Sequence, residues 1–261
     1  MRELHTLDDL RAATSDPLAR WAGQALLPTF PGAGRAWAHG AAVGVHAPGL
    51  NRRDRFVLSG PAEDVAVILR CQLREHGPSF NPLVSSDLSE PLRELLPDVV
   101  ERASFGWMQR TGQLPGTTGV RWLGEDELDD AEALLRKANP GSYVWPDEPA
   151  ARRWAGVHVD GTLVAVGADA WSAPDVGFLA GVATHPDHRG RGLSTAICTF
   201  VTSALLAEHG ACALMVDADN DIAIGLYGRL GFRYRSVTIL LPDEVARSLP
   251  PVPVKPAGWY P

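Results

Sequence analysis

The C-terminal half of the chain alternates apolar runs of strand length with stretches of helical period. "GVRWL" reads as a short strand and "EDELDDAEALLRKANP" as an amphipathic helix. "WAGVHVDGTLVAVGADAW" reads as a hairpin turning at Asp160-Gly161, a dipeptide suited to the left-handed backbone of a two-residue turn. "VGFLAGVAT" is apolar throughout, as a strand covered on both faces should be. "RGLSTAICTFVTSALLAEHG" places Leu193, Ile197, Phe200, Val201 and Leu205 on one helical face, with Gly210 at its exit. "ACALMVDA" is another strand. "NDIAIGLYGRLG" is a short helix with Asn220 as cap and Gly231 as exit, and "FRYRSVTILL" is a last strand.

The N-terminal half is patterned less sharply. "TLDDLRAATSDPLARWAGQAL" has helical stretches broken near Pro17, and "AWAHGAAVGVHA" and "DRFVLSG" suggest strands. "PAEDVAVILRCQLREHG" reads as a helix opened by Pro61 and closed by Gly77, and "ERASFGWMQR" as one more strand. "RTGQLPGTTG", Arg110 to Gly119, has the Gly, Pro and Thr content of a linker. The expected division is an α/β domain over 1–112, a second over 118–242, and a proline-rich tail over 243–261 that forms neither helix nor central strand.

Composition narrows the functional classes. The net charge of −7 argues against a general nucleic-acid or anionic-membrane surface. Three scattered cysteines, Cys71, Cys198 and Cys212, give neither a disulfide framework nor a metal-ligand pair. No HExxH or similar histidine spacing occurs, so no metal is expected. The N-terminus lacks a signal-type apolar core, and no run has the length of a membrane span. The expected location is the cytoplasm.

One turn concentrates candidate chemistry. Between the strand ending at Thr184 and the following helix stand Arg189, Gly190, Arg191 and Gly192. The first amides of a helix have no intrahelical partner and carry the positive end of its dipole. Two glycines let a ligand approach the backbone, and two arginines add charge, a combination suited to pyrophosphate. A P-loop would need a lysine that is absent. The dinucleotide pattern GxGxxG fails at its third glycine, where Thr195 stands, and too little chain follows Asp219 for a doubly wound sheet.

Residues 118–242 resemble the GCN5-related N-acetyltransferase (GNAT) superfamily. The family's pyrophosphate signature, Arg or Gln-x-x-Gly-x-Gly or Ala, falls on Arg189-x-x-Gly192-x-Ser194, with serine departing from the last position. Its second segment is matched throughout by Asn220-x-x-Ala223-x-x-Leu226-Tyr227-x-x-Leu230-Gly231-Phe232. Within the superfamily, "GVATHPDHRGRGLS" is most similar to the glycine acyltransferase-like branch. The resemblance implies an α/β fold with a mixed sheet and two splayed central parallel strands, here 176–184 and 211–218. It leaves 1–112 as a degenerate GNAT copy or a companion domain.

The same resemblance implies acetyl-CoA as co-substrate. Its pantetheine would pair with the backbone of Val182, Ala183 and Thr184, and its pyrophosphate would sit on the amides of Gly190, Arg191, Gly192, Leu193, Ser194 and Thr195 beside Arg189. Tyr227 is the candidate general acid for the departing thiolate. Asn220 caps its helix and is a candidate cofactor contact. Where some relatives carry a glutamate base, this chain has Met215. Asp217 shares that strand face and is the candidate base, with Asp219 and Asp175 as other carboxylates near strand ends. Tyr143, Trp145 and Trp154 either line an acceptor pocket, near Asp147 and Glu148, or pack the helix–sheet seam. The expected reaction is direct acetyl transfer to the primary amine of a small molecule, by a monomer or homodimer. The rival readings are a non-catalytic acyl-CoA-binding module and a protein acetyltransferase.

Overall fold

A computed structural model describes residues 1–76 and 81–250. The chain forms two compact units. Met1–Trp107 groups with residues 235–250, and Met108–Tyr234 makes the other unit. This division differs from the expected 1–112 and 118–242, because the strand after Tyr234 contributes to the first unit.

In the first unit the strand order is β1 (Arg2–Leu4), β2 (Arg35–His39), β3 (Ala42–Ala47), β4 (Arg55–Ser59), β5 (Asn81–Ser85), β12 (Arg233–Pro242, from Arg235) and β6 (Val99–Thr111, to Trp107). β4 and β5 are parallel, whereas β1 to β4 pair antiparallel in sequence and β12 runs antiparallel to β5. Helices α1 (Leu7–Ala13) and α2 (Pro17–Ala22) replace the broken helical stretch, and the break has a local cause. Asp16 accepts the amides of Leu18 and Ala19 and caps α2, with Pro17 at its first position. Burial alone would raise the Asp16 carboxyl. Its bonds to Arg235 and to these amides outweigh burial and hold it below the ordinary aspartate value. A core of Trp37, Phe56, Ile68, Leu69, Leu92 and Leu240 lies between this sheet and α3 (Ala62–His76) with α4 (Ser89–Leu95).

The second unit orders β6 from Met108, β11 (Ala211–Asp217), β10 (Gly177–Thr184), β9 (Thr162–Ala170), β8 (Ala151–Val159) and β7 (Arg121–Trp122). Its helices are α5 (Leu128–Ala138), α6 (Leu193–His209) and α7 (Asp221–Arg229). The predicted hairpin forms, with Asp160 and Gly161 at φ +50° and +77°. Ile197, Cys198, Val201 and Leu205 of α6 pack on Ala155, Val164, Leu179 and Leu214. The mixed α/β sheet expected for this segment is present. The two runs of chain, β1 to β6 and β7 to β12, repeat one order of elements, apart from a doubled first helix in the earlier run.

Four elements differ from the sequence reading. β1, β5 and α4 carry no clear period and were not expected, and Pro82 and Pro91 lie within the last two. The segment after Pro242 forms α8 (Asp243–Ser248), against the expectation of no helix, because its six residues contain no proline between Pro242 and Pro250. The rest of the tail and Gly77 lie outside the described residues. Among the described residues no helix is long and apolar enough to cross a membrane, and no group of three His, Cys, Asp or Glu side chains could hold a metal ion.

A buried carboxylate fixes the closed end of the β10–β11 pair. Asp169 is fully buried; it accepts from Arg153 Nε at 3.1 Å and Ser172 Oγ at 2.5 Å, and Arg152 lies at 3.6 Å. Ser172 Oγ in turn accepts the Phe178 amide at 2.8 Å. Both arginines also reach Glu208 near the C-terminus of α6. Asp169→Ala strands these donors around a desolvated hole. The expected loss of stability is about 3 kcal/mol, the low end for a broken buried pair because both guanidiniums are partly exposed. A urea midpoint unchanged from wild type would contradict it.

Candidate active site

β10 and β11 pair only at Gly177 with Cys212 and Phe178 with Ala213. Beyond these residues the two parallel strands part, as expected, leaving β10 from Leu179 to Thr184 without a β11 partner. On its other side β10 stays paired with β9, and the register shifts between Ala180 and Ala183. Gly181 sits in this bulge at φ +63°. A glycine inside the apolar run "FLAGVAT" is the sequence signal that could have located the bulge.

The turn after Thr184 runs through a short 3₁₀ segment, Pro186–His188, to Gly190 and Gly192 at φ +74° and +76°. Gly192 caps α6 with no side-chain bond, and the first intrahelical bond goes from the Ala196 amide to the Gly192 carbonyl. The amides of Leu193, Ser194 and Thr195 therefore have no acceptor within the helix. A Cβ on Gly190 or Gly192 would meet nothing within 4 Å, so the backbone here faces open space. Ser194, the departure from the family signature, has a structural use. Its hydroxyl bonds Thr184 Oγ1 at 2.8 Å and ties the helix start to the strand end.

The two arginines stand beside these amides but fold back. Arg189 donates to the carbonyls of Thr184 and Ala138 at 3.4 Å, and Arg191 to that of Asp187 at 3.3 Å. Arg189 thus braces the turn against the end of α5. His185 and His188 belong to the turn itself, with His185 Nδ1 accepting the Asp187 amide.

Asn220 caps α7 by accepting the Ala223 amide at 3.0 Å. The helix ends in a Schellman arrangement, with the Phe232 amide bonded to the Tyr227 carbonyl at 3.0 Å and Gly231 at φ +81°. These caps fix the rotation of a nine-residue helix and so the direction of Tyr227. Its ring packs on Phe232 at 5.8 Å between centroids, and its hydroxyl bonds the buried Cys198 of α6. Burial first, then the Cys198 thiol, pushes the phenol well above its ordinary value. Burial likewise lifts the Cys198 thiol to about 12, so neither group ionises near neutrality. Asp217 is half-buried at the end of β11.

The candidate acceptor residues separate. Tyr143 is half exposed, and Trp145 donates from Nε1 to the Ser142 carbonyl at 3.0 Å with Arg136 over its ring. Trp154 is 2% exposed and packs beneath the bulge, which corrects the reading of it as a pocket wall. Its Nε1 is buried without a hydrogen-bond partner, a state that costs about 1–3 kcal/mol.

Residues 109–232 match the acetyltransferase (GNAT) family. This part of the chain belongs to the GNAT acetyltransferases. A mycothiol acetyltransferase of Streptomyces avermitilis is 28% identical over 233 residues, 85% of this chain and 65% of that protein. A mycothiol acetyltransferase of Frankia casuarinae is 39% identical over 80 residues, 30% of this chain and 23% of that one. The chain therefore spans less than two thirds of either relative. The GNAT fold recurs in an acetyltransferase from Colwellia psychrerythraea, with a TM-score of 0.53 and 14% identity over 92% of this chain and 98% of that chain.

Proposed function

We propose that the GNAT domain transfers acetyl from acetyl-CoA to the primary amine of a small molecule by direct attack. The observation that carries this reading is the conjunction of two features. β10 and β11 separate after Phe178 and Ala213, and the same strand leads into an uncapped helix N-terminus approached over two glycines. An extended thioester arm fits the open β10 backbone at Val182, Ala183 and Thr184, and a pyrophosphate fits the amides of Gly190 to Thr195. The donor set suits these groups, because it is made of backbone amides with guanidiniums nearby.

In this scheme the Val182 amide polarises the carbonyl that the amine attacks. The Tyr227 hydroxyl turns from Cys198 to the departing sulfur and gives it a hydrogen bond or proton. Asp217 takes the proton of the incoming amine, directly or through water. Tyr143 and Trp145 flank the acceptor. The relatives named as mycothiol acetyltransferases support acetyl as the acyl group and a small molecule as the acceptor.

The first unit is read as a degenerate copy that holds no acyl-CoA. Only Gly60 and Pro61 separate β4 from α3, and Glu63 and Asp64 fill the first helical turn. Asp64 is held there by the Ala41 amide at 2.9 Å, so this helix start presents negative charge where the second unit presents bare amides.

The test is release of free thiol from acetyl-CoA, followed across a panel of small primary amines and a lysine-bearing peptide. The reading expects amine-dependent release with a small amine and its acetylated product by mass. Acetyl-CoA binding with no amine-dependent release would overturn it, and release with the peptide alone would move the acceptor to protein.

A further inference from the structure

The face of the second unit's sheet opposite α6 carries a row of residues whose sizes fall abruptly. Trp154 of β8 stands opposite Ala168 of β9, and Ala168 stands opposite Ala180 of β10. Residues opposite one another on a ladder share a face. Two methyl groups beside an indole leave the ring room to lie across β9, and it reaches β10. A Cβ on Gly181 would sit 2.6 Å from Trp154 Cη2 and 2.9 Å from Cζ3. Val144 closes the same space, with its Cγ1 also at 2.6 Å from that Cβ. Both side chains are buried, Trp154 at 2% exposure and Val144 at 0%. Gly181 is thus required twice, by its φ of +63° and by the two side chains pressed against it.

The position of this contact along β10 gives it a consequence. The register shift between Ala180 and Ala183 begins two residues after Phe178, where β10 last pairs with β11. We propose that Trp154 is a positioning residue: its indole, braced by Val144, holds the Gly181 kink and so aims the Val182 amide into the gap between β10 and β11. This rests on the acyl-transfer reading above, in which that amide polarises the acyl carbonyl. The orphaned Nε1 supports the proposal. A phenylalanine would avoid an unpartnered buried donor, yet position 154 carries the longer ring. A residue that breaks a local rule of stability is expected where function sets the requirement.

Trp154→Phe and Val144→Ala in the full chain test this. For Trp154→Phe, the melting temperature is expected to stay within a few degrees of wild type. The KM for acetyl-CoA should change far less than kcat, by a few-fold at most, because the amides of residues 189–195 are untouched and only the Val182 end of the strand that pairs with the arm shifts, while kcat should fall about 10-fold or more, as sub-ångström misplacement at a reacting centre predicts. Val144→Ala should lower kcat in the same direction. In amide proton–nitrogen spectra the Gly181 and Val182 resonances should move while those of Gly190 and Gly192 stay. An unchanged kcat, or kcat, KM and melting temperature falling in step, overturns the proposal and leaves Trp154 as packing. If wild type acylates no amine, the acyl-transfer reading falls by itself. The Gly181 and Val182 resonances then decide the wedge: movement in Trp154→Phe upholds it, and none overturns it.

Discussion

Tyr227→Phe is expected to lower kcat about 10²-fold and to leave acetyl-CoA affinity within about 2-fold of wild type. General acids contribute about 10²–10⁴-fold. The low end applies because burial raises the phenol well above its ordinary value, making full proton transfer to a thiolate uphill. The hydroxyl then acts mainly as a hydrogen-bond donor to the leaving sulfur. Affinity should hold because phenylalanine keeps the ring against Phe232 and the hydroxyl is spent on Cys198 before any ligand enters. The pH dependence follows from the direction of the shift. A raised pKa keeps the proton on Tyr227 as pH climbs, so no loss of kcat from this group should appear below the ordinary tyrosine value of about 10. Steady-state kinetics of wild type and variant from neutral to alkaline pH measure both. A variant as active as wild type would remove Tyr227 from the mechanism.

Gly192→Asp is expected to weaken acetyl-CoA binding by about 10²-fold or more while leaving the fold intact. Two effects combine. At φ +76° a side chain costs about 1–2 kcal/mol of backbone strain, of which aspartate escapes part. The larger effect is charge. Two unit charges 4 Å apart near a protein surface repel by about 4 kcal/mol, and exposure to solvent reduces that to about half. A carboxylate at this position also competes for the amides of Ser194 and Thr195, because it would cap α6 as the glycine does not. Gly192→Ala carries the strain without the charge, so its loss should be several-fold only. Equal losses in both variants would show that backbone shape alone, without anion binding, explains the effect.

The site's frame was legible because its boundaries are written in residues with narrow backbone preferences. Gly190, Gly192, Gly210 and Gly231 all have positive φ, and Asn220 caps as its side chain suggests. The apolar runs 177–184 and 211–217 could hardly be anything but covered strands. What was not legible depends on partners distant in sequence. No local pattern in "RYRSVTILL" tells that β12 lies against β5, and Arg235 finds Asp16 only in the fold. For Trp154 the sequence leaves pocket wall and seam packing both open, because aromatic composition does not reveal which side of a strand faces a bulge. Arg189 looked like a phosphate ligand, and its bonds to the Thr184 and Ala138 carbonyls become visible only when α5 is in place. Ser194 read as a departure from a pattern, whereas Thr184 beside it makes the departure a tie.

The most direct test of the central claim is a calorimetric titration of the full chain with acetyl-CoA, repeated with Gly192→Asp. The account predicts micromolar binding of one molecule per chain, lost in the variant. Absence of binding to wild type, or undiminished binding to the variant, would contradict the assignment of the β10–α6 turn as the acyl-CoA site.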